Sequence, residues 1–172
     1  MILFKKFVFS PAIEEGMFDD EGALSFIYTQ SLQELRTDCF TTTGKEIEIK
    51  RNQHPTTRGD FIRTIHGLAG YGVAVFPHCA CDSRKDGHII LSCDASKISI
   101  QACSDRGQLQ DQVKTFQWEH ISNHFVDIGV FTFTVSKGAN DKNICLTSEY
   151  CVFMNKTFER ILWERKQYSD LV

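Results

Sequence analysis

Six histidines and seven cysteines are the residues of this 172-residue chain best suited to bond-making, and their spacing sorts them into a few places. His78, Cys79 and Cys81 lie together, and His120 and His124 stand one helical turn apart behind Glu119. Imidazole nitrogens and thiolates are the ligands of a tetrahedral zinc ion, so a shared zinc site is the chemistry this set allows. The spacing argues against it. Cys-x-Cys is tighter than the usual zinc step, and Glu-His-x-x-x-His reverses the metalloprotease order His-Glu-x-x-His. The 120–124 segment also falls between two strand-like runs, where a turn is expected rather than a helix. No metal or other cofactor is assigned. Cys39 lacks any local signature of a thiol nucleophile. Cys93, Cys103, Cys145 and Cys151 sit inside strand patterns, as core or face residues do. Arg58-Gly59-Asp60 spells an integrin-binding tripeptide, a chance match in a chain that reads as cytoplasmic.

The remaining polar candidates lie in His54–His78, HPTTRGDFIRTIHGLAGYGVAVFPH. It opens with His-Pro and a polar turn, reaches Gly59-Asp60, and is then rich in small residues (Gly67, Ala69, Gly70, Gly72, Ala74). Each interior glycine costs a helix roughly 1 kcal/mol against alanine. A helix here therefore has to be enclosed on most sides, with its small residues admitting another backbone. The expectation is such a helix over 57–76 with a sheet wrapped around it.

The elements that must position it follow from pattern. Asp19-Asp20-Glu21 starts a helix over roughly 21–37, in which Leu24, Ile27, Tyr28, Leu32 and Leu35 recur at helical spacing. Glu46–Lys50 alternates as a half-exposed strand, and Ser83–Gly87 is a polar loop. His88–Cys93 and Lys97–Cys103 read as two strands, or one bent at Asp94-Ala95-Ser96. Val113–His120 puts Phe116 and Trp118 on one face, which is offered to a second subunit. Phe125–Ser136 is a long strand with Phe131, Phe133 and Val135 sharing a face. Lys137–Asp141 turns the chain into a return strand over 144–154. Asn155 caps a last helix carrying Phe158, Ile161 and Leu162. Strands gathered after helices give an α+β class with a mostly antiparallel sheet. The chain is read as a single domain, 1–172, with an N-terminal extension (1–45), a core (46–154) and a C-terminal helix (155–172).

Composition narrows the function. Hydrophobic residues make up 42% and charged residues 24%, which is ordinary for a globular protein able to bury a core. A net charge of −3 and a pI near 6.1 exclude a phosphate-backbone partner, so no nucleic acid is expected. MILFKKFVF is broken by Lys5-Lys6 and does not read as a signal peptide. No apolar run is long enough to span a membrane. Unclustered thiols, odd in number, fit the reducing cytoplasm.

The helix entrance HPTTRGD, followed by KISIQAC, GQLQDQVKTFQWEH, FVDIGVFTFTVSKG and NICLTSEYCVFM, resembles the hot-dog fold of 3-hydroxyacyl-acyl-carrier-protein dehydratases over about residues 46–154. The resemblance implies an antiparallel sheet wrapped around a long central helix. It also implies acyl-carrier protein or acyl-CoA as substrate in fatty acid or polyene lipid biosynthesis, and a homo- or heterodimer with another hot-dog subunit. Such lyases pair a histidine base with a helix carboxylate. Ile49 and Lys50 stand where the histidine belongs, and Thr64 and Ala69 where the acid belongs. The substitutes are His54 as base and Asp60 as acid. Gly59 at the helix N-terminus would polarise a thioester carbonyl, and His66 would lie beside the substrate. A non-catalytic subunit of the same fold explains the missing pair equally well. The reading from a different class is an α+β interaction protein, such as an effector, inhibitor or immunity protein, without catalysis.

Overall fold

A computed structural model of the chain describes residues 6–36, 57–137 and 140–168. They fall into two compact units, Met1–Gly72 and Val73–Val172. The strand expected at 46–50, Cys39 and His54 lie outside the described residues, as does part of the 137–141 turn.

The first unit is helical, with α1 (Pro11–Glu15), α2 (Glu21–Arg36) and α3 (Arg58–His66). The bounds of α2 match the periodicity that foretold it. The helix α3 starts where Thr57 caps it: the Thr57 hydroxyl accepts from the Asp60 amide at 3.1 Å and meets the Asp60 carboxylate at 2.7 Å. That satisfies an orphan N–H of the first turn. The long central helix expected over 57–76 is not formed. The helix stops at Gly67, and Gly70 (φ 91) and Gly72 (φ 67) adopt left-handed backbone that no right-handed helix contains. The small residues break the helix rather than admit a neighbour to it. The turn they make lays Leu68 and Tyr71 against Leu35 and Ile65, with Phe61 alongside.

The second unit is an eight-stranded antiparallel sheet followed by one helix. Its strands are β1 (Ala74–Val75), β2 (Cys79–Cys81), β3 (His88–Cys93), β4 (Lys97–Cys103), β5 (Leu109–Gln117), β6 (Ile121–Asp127), β7 (Val130–Lys137) and β8 (Asn140–Thr147). The helix is α4 (Cys151–Tyr168). Strand order is β5-β4-β3-β2-β8-β7-β6, and β1 pairs β3 next to β2. Phe76-Pro77-His78 thus interrupts what would be one strand, as a proline without an N–H does inside a ladder. Strands β3 and β4 occupy their expected residues, and their bend is an Asp94 turn whose carboxylate accepts from the Ser96 and Lys97 amides.

Three boundaries differ from the sequence reading. The segment 125–136 is two strands, because Ile128-Gly129 makes a hairpin turn between β6 and β7. Trp118 leaves the strand in a 3₁₀ turn (Trp118–His120), is 2% exposed, and donates its indole N–H to the Asp94 carbonyl at 2.8 Å. It is buried in its own unit and not offered to a second subunit. The return strand ends at Thr147, and the last helix begins at Cys151 rather than Asn155, since the Ser148 hydroxyl accepts from the Tyr150 amide at 3.1 Å in the turn before it.

The core of this unit is where α4 meets the sheet. Met154, Phe158 and Ile161 are fully buried against Phe131 and Phe133 of β7, with Trp118 closing one side. The class is α+β with an antiparallel sheet and helices at both ends of the chain.

Candidate interaction groove

Because β5 and β6 terminate the strand order, each has one edge that pairs with no strand among the described residues. Edge strands carry a row of unpaired N–H and C=O groups that another chain can complete. The surroundings separate the two. The strand β5 is exposed along most of its length. By contrast, β6 runs beside α4, which packs on β6 and β7.

The contact between β6 and α4 is polar at its centre. His124 of β6 turns toward the helix and sets its Nδ1 2.7 Å from Asn155 Oδ1, with its ring 5.8 Å from that of Phe158. The Asn155 amide donates to Glu159 at 2.9 Å. An amide oxygen only accepts, so His124 Nδ1 carries the proton. This chain of bonds fixes the distance between strand and helix. Helical repeat places Val152, Glu159 and Leu162 on the same flank of α4 as Asn155, and Val152 is 61% exposed. On the strand, Val126 shares the side of His124 that faces α4, whereas Phe125, 45% exposed, points to the opposite face of the sheet. The result is a groove with an open backbone edge on one wall and mixed apolar and acidic side chains on the other.

The β6–β7 hairpin turn follows at the end of β6. Ile128 (φ 34) and Gly129 (φ 77) both have positive φ, as the type I′ turn of a two-residue hairpin requires. A β-branched residue there is strained, and Ile128 has no packing to offset the strain because it is 95% exposed. Ile128→Asn is expected to raise the stability of this unit by about 1 kcal/mol, because the short polar side chain of asparagine tolerates left-handed backbone that a β-branched one does not. A urea unfolding midpoint equal to or below that of wild type would contradict this.

The residues singled out in the sequence are distributed differently. Asp60 and Gly59 lie in the first turn of α3, where Asp60 is engaged by Thr57 and by Arg63 at 3.3 Å. A Cβ on Gly59 would meet Phe18 at 3.3 Å, so the glycine serves close packing. His66 ends the same helix and sets Nε2 3.1 Å from Glu14 and Nδ1 3.6 Å from Glu15. Glu14 is 1% exposed, receives the Tyr71 hydroxyl at 2.6 Å, and is paired with Lys6. Burial pushes the Glu14 carboxyl up, but the His66 hydrogen bond and the Lys6 charge outweigh it and hold the group below its ordinary value. Burial and the Glu14 charge drive the Tyr71 phenol well above its usual range.

The zinc candidates are not assembled. His78 Nδ1 lies 2.8 Å from His88 Nδ1, whereas His124 is held by Asn155. Cys79 and Cys81 are buried, and burial raises the Cys79 thiol to about 12. Among the described residues no group of three or more metal-capable side chains converges. Sequence reasoning missed the groove because Asp127-Ile128-Gly129 was read as strand. The glycine two residues after an aspartate was the available signal.

No protein-family model matches the chain. Rat sorting nexin-17 is 22% identical over 167 residues, which cover 94% of this chain and 35% of the relative. Human sorting nexin-17 is 22% identical over 112 residues, 64% of this chain and 24% of the relative. The chain thus spans about a third or less of the curated relatives it matches. Among solved structures, the FERM and C-terminal domain complex of Drosophila Merlin superposes with a TM-score of 0.50 at 20% identity, over 78% of this chain and 47% of that one. A MyTH4-FERM domain of Dictyostelium myosin VII gives 0.39 at 14% identity, over 73% of this chain and 24% of that one. The Merlin match identifies the fold as FERM-like.

The likenesses to sorting nexin-17 and to the Merlin structure overturn the hot-dog dehydratase resemblance and what it implied. Lyase activity in lipid biosynthesis, acyl-carrier protein or acyl-CoA as substrate, and a second hot-dog subunit as partner all go with it. The physical reason is the missing central helix: α3 ends at His66, and the helix that packs on β6 and β7 is α4, which follows the sheet in sequence. No helix among the described residues is long and apolar enough to cross a membrane.

Proposed function

We propose that the chain is a non-catalytic protein-interaction module acting in the sorting of other proteins, and that an extended segment of a partner docks in the groove between β6 and α4. The observation that carries this reading is the open edge of β6 beside the exposed flank of α4. Main-chain hydrogen bonds to a sheet edge supply affinity, and pockets for alternate side chains supply selectivity. The likeness to sorting nexin-17 supports the sorting role by its name, and the Merlin FERM domain, in complex with a C-terminal domain, is a case of this fold holding another polypeptide. The six described cysteines are unbridged, in keeping with a cytoplasmic address.

The test is selection of peptides from a random display library on the immobilised chain, followed by Val152→Glu. Selected peptides are expected to shift the amide resonances of residues 121–127 and to lose at least about tenfold in affinity, roughly 1.4 kcal/mol, on the variant. The exposed position makes the substitution nearly neutral for folding. Failure to select any peptide would sink the interaction reading. Peptides that ignore Val152→Glu and leave 121–127 unshifted would sink the groove.

A further inference from the structure

The sheet of the second unit lines an open-mouthed cavity of about 480 Å³, none of whose lining residues lies on β6 or α4. Its depth is apolar: Ile89 and Ala102 are buried, Val135 and Ile144 face them from β7 and β8, and Phe116 forms one wall. Its charged contributors carry one sign, beside the neutral Ser83 and Gln112. Arg84, Lys114 and Lys142 line it, and no carboxylate does. That is against the sign of a chain whose net charge is −3.

The pattern of the strands explains how the cations come to be there. Across the β4–β5 ladder Ile98 faces Phe116 and Ile100 faces Lys114, so Lys114 follows Phe116 on the core-facing side of β5. On β8, Lys142 follows the buried Ile144 in the same alternation, opposite Val135. Two core-facing rows therefore end on lysines where continued burial would call for apolar residues. Neither lysine has an ion-pair partner among the described residues. Arg84 hydrogen-bonds Gln110 and Gln112 through its terminal nitrogens, while its buried Nε has no partner among the described residues. A buried donor left without an acceptor is costly and marks a place an acceptor can fill.

We infer that this cavity binds a free single-chain amphiphile with a carboxylate head, its tail among Ile89, Ile100, Phe116 and Ile144 and its head at Arg84, Lys114 and Lys142. The volume lies within the range of small-molecule sites, and an apolar pocket with a few convergent polar groups is their usual form. The charge selects the occupant: three cations without a carboxylate favour an anion, and the apolar depth favours a tail over a small free anion. The site is independent of the β6–α4 groove and does not rest on the peptide-docking reading.

Titration calorimetry of the full chain with dodecanoate, decanoate, octanoate and dodecanol tests it. One saturable site is expected for dodecanoate, with affinity falling roughly fourfold per methylene removed, as burial of a tail predicts. The double variant Lys114→Glu, Lys142→Glu should lose at least tenfold, and dodecanol should bind at least tenfold more weakly than dodecanoate. Both lysines are exposed, so folding is expected to survive, and circular dichroism checks it. Val152→Glu should leave dodecanoate binding unchanged, which separates this site from the groove. Equal affinities along the acid series, equal binding of dodecanol, or binding indifferent to the charge reversal would overturn the proposal. So would absence of saturable binding, or a self-associated chain or an acidic peptide that occupies the cavity in its place.

Discussion

Phe158→Ala is expected to destabilise the Val73–Val172 unit by about 3–5 kcal/mol, the range for removing a fully buried aromatic side chain. Phe158 is 0% exposed, and its ring lies 4.9 Å from Trp118, 4.8 Å from Phe131 and 5.4 Å from Phe133, mostly edge to face. Such arrangements add to burial, because the positive ring edge meets the negative face. Alanine's better helix propensity returns well under 1 kcal/mol and leaves the sign unchanged. Trp163→Ala, on the same helix but 49% exposed, is the control and should cost far less. Urea unfolding of both variants decides the matter. Equal losses would mean that α4 is not seated on the sheet through Phe158. The consequence reaches function, since the side chain that anchors α4 also fixes the wall of the groove. A partner peptide should bind Phe158→Ala more weakly even where the variant remains folded.

How much of this was legible in the sequence can be argued from the same residues. Phe131, Phe133 and Val135 were legible as one face because period two needs no knowledge of the partner. The helix over Glu21–Arg36 and strands β3 and β4 were legible for similar reasons, each having an unbroken period and a polar or acidic start. The 57–76 segment was not. Its glycines fit two opposite uses, close helix packing or left-handed turns, and only the observed φ at Gly70 and Gly72 separates them. Cys151-Val152-Phe153-Met154 reads as strand by composition, yet it opens a helix because Ser148 caps the turn before it and Met154 is wanted in the core beneath α4. Tertiary packing overrode β-propensity there. The groove and the cationic cavity were illegible for a different reason. Both are made by residues distant in sequence, and no local period encodes which strand becomes an edge.

Glu14→Gln is expected to cost the first unit about 3–5 kcal/mol, the penalty for breaking a buried ion pair from one side. Glu14 is 1% exposed, and its partners Lys6 and His66 have side chains only 8% exposed, so neither can turn to water without rearrangement. The pH dependence has a definite sign. The carboxyl is held below its ordinary value of 4.5, on balance of burial against His66, Lys6 and Tyr71. A depressed folded value means that the unfolded chain takes up the proton first as pH falls. The stabilisation is thus complete above 4.5 and is lost as pH drops through the folded value. The gap between wild type and Glu14→Gln should be widest near neutral pH and close in acid, as followed by thermal unfolding across that window. A gap that does not change between neutral and acidic pH would show that Glu14 is not the charge that holds Lys6 and His66. Replacing the three together, Glu14→Leu with Lys6→Met and His66→Leu, separates charge from packing: it should restore most of the lost stability, since a buried ionic cluster exchanged for apolar residues of similar volume is often neutral or better.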